Sequence, residues 1–239
     1  MRASVLLLVV CMLAAVAAPA AAPQWSGTVT ASSDYLLRGV SRSTNDPALS
    51  AEVQVAAGNG LFADLWATTS RPRAAEDTTV EFAATVGYGV TLAPDWSVTG
   101  SFTHYESPWS ELAGYYRYNE LTLDLDYRER LLLSASFSPD LSRYAPEYGP
   151  VWHRNAAAFE ASYRQPLGAG WRGYLGLGYY DLSELHGAGY WYGSVGLGWS
   201  WQRWQLDLSY VLADNTARRL SYPEAADNRV LFAVGFNFR

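Results

Sequence analysis

From Trp25 to Phe238 the chain repeats one arrangement, short runs in which apolar side chains alternate with small or polar ones. Trp191, Gly193, Val195, Leu197 and Trp199 fall on one face of such a run, and Tyr192, Ser194, Gly196 and Gly198 on the other, because a strand points successive side chains to opposite sides. The same grammar recurs in Trp171, Gly173, Leu175, Leu177, Tyr179 and in Trp204, Leu206, Leu208, Tyr210. In each case aromatic rings close the apolar face at both ends. A tilted strand of about eight residues, at about 3.4 Å each, spans roughly 20 Å of height, which sets the rings near the two edges of an apolar band about 25 Å tall. This pattern predicts an all-β fold: a transmembrane, antiparallel, up-and-down β-barrel.

The alternation predicts about twelve strands, over 25–38, 48–57, 61–70, 79–92, 96–105, 118–128, 131–138, 155–165, 171–180, 190–199, 204–212 and 229–238. An even number suits a single-chain bacterial barrel with both termini on one side. Gly58-Asn59-Gly60 is a tight hairpin signal, and Ala93-Pro94-Asp95, Glu129, the run 166–170 and Gln202-Arg203 mark further reversals. Connections after the odd-numbered predicted strands are longer, spanning 39–47, 71–78, 106–117, 139–154, 181–189 and 213–228. Short periplasmic turns and long external loops would place both termini in the periplasm. Closing the hydrogen-bond ladder leaves no strand edge unpaired in lipid. In the third strand, turning Asp64 inward also turns Phe62 and Trp66 inward; either these rings narrow the lumen or the register there is off by one.

The N-terminus bears on the compartment. Met1-Arg2, an apolar run over 5–16 and Ala18-Pro19-Ala20 read as a secretory signal over residues 1–20, with cleavage near 20–22. One barrel domain, 21–239, would remain. The single cysteine, Cys11, lies in the apolar run and follows Val10 where lipidation needs a small residue, so the mature chain has neither disulfide nor thiolate chemistry. A net charge of −6 disfavours a nucleic-acid partner, and all 17 basic residues are arginine.

Assigned strand by strand, Asp34, Glu52, Asp64, Glu81, Glu120, Asp124, Asp126, Glu160 and Asp207 point inward, with Arg38, Arg128, Arg164 and Arg172. Trp25, Tyr35, Trp96, Tyr127, Trp171, Tyr179, Trp191, Trp199, Trp204, Tyr210 and Phe238 form the outward girdle. The lumen is mixed but acidic. Facing acids and arginines create a transverse field, and the excess of carboxylate favours cations or polar neutral solutes in a porin-like channel. The competing reading is that these charges pair across a small barrel and close it. Serine, threonine and glycine at most remaining inward positions favour open volume.

Two other classes of function compete with a channel. An outer-membrane hydrolase would need a positioned nucleophile and base. His104, His153 and His186 fall at strand ends or in predicted loops near Ser101, Ser107, Asp140 or Asp181, but no nucleophile elbow or zinc spacing accompanies them. No cofactor or metal is expected, and the protein reads as a non-enzyme. A recognition or adhesion barrel would work through loop aromatics such as Trp109, Tyr115, Tyr116, Tyr144, Tyr148 and Trp152. Arg218-Arg219 in a long loop offers cations to lipopolysaccharide phosphates, or is a solvated loop pair. The strand glycines Gly173, Gly176, Gly178, Gly193, Gly196 and Gly198 open no helix and so form no nucleotide loop; they relieve crowding or leave lumen space.

One resemblance adds to this reading. Thr30-Ala31-Ser32-Ser33-Asp34-Tyr35-Leu36-Leu37-Arg38-Gly39-Val40-Ser41, then Asp46-Pro47-Ala48, then Gly60-Leu61-Phe62-Ala63-Asp64-Leu65-Trp66, resembles the opening of the proteobacterial TorF-family porins. Glu81 with Gly87-Tyr88, and Tyr118-Asn119-Glu120, look like later landmarks of that family. The specific part covers about the first fifth of the chain. The resemblance implies an outer-membrane barrel of a Gram-negative bacterium, without defining a solute. The C-terminal alternation of aromatics is similar to the strand signal read by barrel assembly machinery, although Arg239 follows the final Phe238. Expected partners are therefore that machinery, outer-membrane lipid with lipopolysaccharide, and small solutes.

Overall fold

The computed structural model describes residues 22–71, 78–109, 117–143 and 152–239. Twelve strands close into a barrel: β1 (Gln24–Ser32), β4 (Ala48–Ala56), β5 (Leu61–Ser70), β6 (Thr79–Ala93), β7 (Trp96–Glu106), β8 (Tyr118–Tyr127), β9 (Leu131–Arg143), β10 (Trp152–Gly168), β11 (Trp171–Asp181), β12 (Tyr190–Trp201), β13 (Trp204–Ala213) and β14 (Arg229–Phe238). Each pairs antiparallel with its sequence neighbour in the ring, and β1 closes the circle between β4 and β14. A two-stranded hairpin, β2 (Leu36–Leu37) and β3 (Val40–Ser41), stands apart from the ladder. The signal segment expected over 1–20, with Cys11, lies outside the described residues.

Local chemistry sets the turns at one end. Arg128 and Glu129 both take positive φ, 57° and 55°, the geometry of a two-residue hairpin whose twist matches its flanking strands. Gly60 takes φ 94°, and a Cβ there would stand 2.2 Å from the Gly89 carbonyl oxygen, so only glycine fits. The opposite end carries the longer connections, with α1 (Ser183–His186), α2 (Asn215–Leu220) and a 3₁₀ turn (Pro223–Ala226). Asp214 caps α2 by accepting hydrogen bonds from the Thr216 and Ala217 amides at 2.7 and 2.9 Å.

The exterior is apolar along its height. Leu65, Leu123, Leu175, Val195, Leu208 and Val230 are exposed, which in a barrel of this kind is the lipid-facing band. Aromatic pairs concentrate at the short-turn end: Trp96 against Tyr127 with ring centroids 4.6 Å apart, Trp171 against Trp199 at 6.3 Å, and Trp204 against Phe236 at 5.0 Å. Trp25 and Phe238 lie on the same rim. Tyr179 and Trp191 pair at 5.0 Å toward the long-loop end, with Tyr210 on the upper part of β13.

The structure departs from the sequence reading in several places. The first strand ends at Ser32 rather than Arg38, and residues 33–47 turn into the barrel. Strands β9 and β10 extend through much of the connection read as 139–154. Pro139 is accommodated because the β9–β10 register shifts between Arg154 and Ala156, and a residue without an amide hydrogen is tolerated at such a bulge. In the third membrane strand, β5, Leu61 and Leu65 face outward, so Phe62, Asp64 and Trp66 face inward and the register is not slipped. Bulk is accepted there because Gly87 on β6 lies beneath the Phe62 ring, where a Cβ would come within 2.3 Å.

Candidate functional site: the barrel interior

Residues 33–47 enter the lumen and are fastened to three separate walls. The tip of the β2–β3 hairpin is Arg38-Gly39, both at positive φ, 50° and 78°, and a Cβ at Gly39 would be 2.8 Å from Tyr192 Cβ. Arg38 donates to Glu120 Oε2 on β8 at 2.8 Å, with both side chains buried. Arg42 donates to Glu81 Oε2 on β6 at 2.9 Å. At the base of the segment Asp34, 5% exposed, accepts from Ser41 at 2.7 Å, Ser43 at 2.6 Å and the Arg229 guanidinium of β14. Charges that burial alone would penalise are thus all paired and hydrogen-bonded, which is the condition for keeping them there.

Tyrosines fill the spaces between these pairs. The Arg38 guanidinium carbon sits 4.5 Å above the Tyr180 ring. Tyr105 stacks on Tyr118 at 4.5 Å, and Tyr190 contacts both Tyr180 and Tyr192. Tyr35 packs on Trp66 at 5.5 Å and donates its hydroxyl to Glu81 Oε1 at 3.2 Å. Burial first, then the facing Glu81 carboxylate, raise the Tyr35 phenol well above its ordinary range, so it remains a donor. Glu120 also accepts from Ser138 at 3.0 Å. An apolar cluster of Ala156, Ala158, Leu182, Leu185, Ala217 and Ala226 packs at the long-loop end, with Val40 of the hairpin against it.

The short-turn end is different. Arg172 Nη2 donates to both Asp207 oxygens, at 2.8 and 3.0 Å, and Nη1 donates to Ser200 at 2.7 Å. Gly198 makes room for that pair, since a Cβ would meet both Arg172 Nε and Asp207 Oδ1 at 2.6 Å. Higher on β10, beside the hairpin, Glu160 accepts the Tyr192 hydroxyl at 2.6 Å. Interior side chains of this half reach open space: Glu52 and Arg164 are exposed although their strand register turns them inward. Glu52, Asp64, Asp124, Asp126 and Glu160 make no ion pair among the described residues. The interior is therefore a cup, narrow and internally neutralised at the long-loop end, open and acidic at the short-turn end.

Two site assignments are corrected. Strand parity carried past Ser32 puts Tyr35 in the outward girdle; it lies inside, because the chain leaves the ladder at Ser32. Parity on the sixth predicted strand puts Arg128 on the lumen wall; it occupies the β8–β9 turn and pairs with exposed Asp95 at 2.8 Å. Hydrogen bonding from Arg128, more than its charge, holds the Asp95 carboxyl below the usual carboxylate range. Arg42, Arg229, Ser41 and Ser43 are functional residues that the alternation does not mark; they acquire roles only once 33–47 is inside.

The remaining candidates disperse. His104 Nδ1 lies 2.9 Å from Asn119 Oδ1, and His153 contacts Ser142 and the Asp140 carbonyl. Ser101 faces the interior while His104 does not share its face, and Asp181 accepts from the Ser183 amide at 2.9 Å. Among the described residues no set of three or more His, Cys, Asp or Glu is placed to hold a metal. Trp109 packs on Phe82 at 5.1 Å, and Arg218 pairs with Asp227 at 3.2 Å. Tyr115, Tyr116, Tyr144, Tyr148 and the Trp152 side chain lie outside the described residues.

A closed twelve-stranded antiparallel barrel with an apolar exterior and a polar interior is a barrel of the porin type. The chain belongs to a bacterial family of proteins of unknown function, Gcw_chp, whose model matches residues 16–235. No curated protein matches it in sequence. Among solved structures it is similar to the NanC porin, with a TM-score of 0.59 at 12% identity, covering 90% of this chain and 100% of that one. The KdgM porin matches with a TM-score of 0.55 at 9% identity over 90% and 99% of the two chains. KdgM in complex with disordered oligogalacturonate gives 0.57 at 9% identity, over the same shares. At these identities the likeness is one of fold.

Proposed function

We propose that the protein is an outer-membrane channel for passive diffusion of small polar solutes or ions, with a weak preference for cations. The carrying observation is the distribution of interior charge: four arginines are neutralised by four carboxylates, while the acids open to the lumen have no cationic partner among the described residues. An excess of fixed carboxylate along a water-filled path raises the local concentration of cations. The fold shared with NanC and KdgM, and the resemblance of the N-terminal fifth to TorF-family porins, support the same reading.

In this account the short turns and both termini face the periplasm, the long loops face outward, and assembly machinery reads β14. The chemistry is transport without bond-making, so no catalytic group is assigned. Liposome swelling with neutral sugars of graded size tests the proposal. Monosaccharides enter and larger oligosaccharides are excluded if the cup conducts; swelling rates equal to those of protein-free vesicles for every solute would refute it.

A further inference from the structure

The open half of the lumen has two chemically opposite walls. In the ring of twelve strands β10 lies six places from β4 in either direction, and β11 lies six places from β5. Arg164 on β10 therefore looks across the barrel to β4, where Gln54 stands at its height and Glu52 one interior position higher, and the recess beside it on β11 faces Asp64 on β5. Height matches as well. Arg164 pairs in register with Tyr174, the second interior pair above the β10–β11 turn, and Asp64 pairs with Gln54, the second interior pair above the β4–β5 turn.

The basic wall is a built recess. A hollow of about 210 Å³ is lined by Ser162, Arg164, Arg172, Tyr174, Gly176, Ser194 and Asp207, whose carboxylate is taken up by Arg172 and leaves Arg164 as the uncompensated charge of the recess. Small residues create it: a Cβ on Gly176 would sit 3.3 Å from the Ser194 hydroxyl. The Arg172 guanidinium is held by Asp207 and Ser200, whereas the Arg164 side chain is in no ion pair or hydrogen bond among the described residues. Its backbone amide donates to the Arg130 carbonyl at 2.7 Å, which fixes the strand and leaves the side chain available. On the acidic wall Glu52 and Asp64 stand against each other with no cation beside them among the described residues, and one Asp64 oxygen, Oδ2, has no hydrogen-bond partner. On β8 Asp124 has no ion-pair partner among the described residues and Asp126 is engaged by the Glu129 amide, so the acidic character extends around part of the circumference.

We propose that this vestibule is a subsite for small zwitterionic solutes of the amino-acid or short-peptide class. The carboxylate is received at Arg164 with the Ser162 and Ser194 hydroxyls, and the ammonium end is drawn toward Asp64 and Glu52. A free anion is attracted to one wall but repelled by the other, and a free cation the reverse; only a molecule carrying both charges gains at both. The inference deepens the channel reading and, for transport, rests on it; binding does not require conduction.

The test is calorimetric titration of the folded, full-length protein in detergent with four solutes of similar size: glycylglycine, N-acetylglycine, glycylglycinamide and N-acetylglycinamide. Glycylglycine should bind saturably and about tenfold more tightly than either singly charged solute, with the neutral one weakest. In R164Q, and separately in D64N/E52Q, that preference should disappear, with heat-modifiable gel migration reporting that each variant is folded. Equal binding of all four solutes, no binding of glycylglycine, or a preference that survives R164Q overturns the subsite. Failure of wild-type protein to pass potassium chloride in planar bilayers would instead overturn the channel and leave the binding result standing.

Discussion

Removing Glu120 tests the role of the inward segment. Glu120 receives the Arg38 guanidinium at 2.8 Å and the Ser138 hydroxyl at 3.0 Å, and the exposures of the Arg38 and Glu120 side chains are 7% and 8%. In Glu120→Ala the arginine keeps its ring contact with Tyr180 but loses its counter-charge in a buried place. Removing one member of a buried pair costs about 3–5 kcal/mol. The barrel ladder does not depend on that pair, whereas the position of 33–47 does, so the cost falls on the inward position. At about 1.4 kcal/mol per tenfold, the equilibrium between inward and released segment shifts by roughly a hundredfold to several thousandfold. Single-channel recording in planar bilayers should show larger conductance for Glu120→Ala than for wild type. The double variant Arg38→Met/Glu120→Met, which leaves no orphan charge, should return toward the wild-type value. Identical conductance in all three folded proteins would refute the idea that this pair holds the lumen narrow.

Other expectations concern the wall and its turns. Leu123→Arg places a cation on the exposed lipid face and should destabilise the barrel by about 2–4 kcal/mol if near mid-depth, read by urea titration in lipid vesicles; a change near zero would mean that this face does not meet hydrocarbon. Glu129→Gly relieves a non-glycine residue at φ 55° while retaining its amide bond to Asp126, and should stabilise by about 1 kcal/mol; loss of stability in the same titration would contradict the turn assignment. Asp34→Ala strips the partner from Ser41, Ser43 and Arg229 together, so protease sensitivity within 33–47 should rise in intact outer membranes. Unchanged cleavage would show that the network does not anchor the segment.

Much of the wall could be read from the sequence because its grammar is local. Period-two alternation in Trp191 to Trp199 or Trp204 to Tyr210 is settled by each strand alone, and the reversals rest on neighbouring residues such as Gly58-Asn59-Gly60. The interior was less legible because its logic is long-range. Arg38 and Glu120 are 82 residues apart in sequence, and Asp34 and Arg229 are 195 apart; no periodicity relates them. The adjacent leucines Leu36 and Leu37, which break alternation, are the local sign that the first strand has ended. Inward Phe62 looks like an error of register until Gly87 is placed beneath it, and Gly178 likewise underlies the Tyr192 ring, with a hypothetical Cβ 2.3 Å from it. Interior glycines thus mark where a neighbouring strand sends a large ring inward, a signal that becomes readable only with the pairing register.

The central claim, that this barrel carries small ions and solutes through a membrane along an acid-biased lumen, is met most directly by reversal-potential measurement on single channels of the wild-type protein in a potassium chloride gradient. Discrete, small conductance steps with a reversal potential of cation-selective sign are predicted. Folded protein that inserts yet gives no steps at any voltage, or steps that reverse on the anion-selective side, would contradict the account.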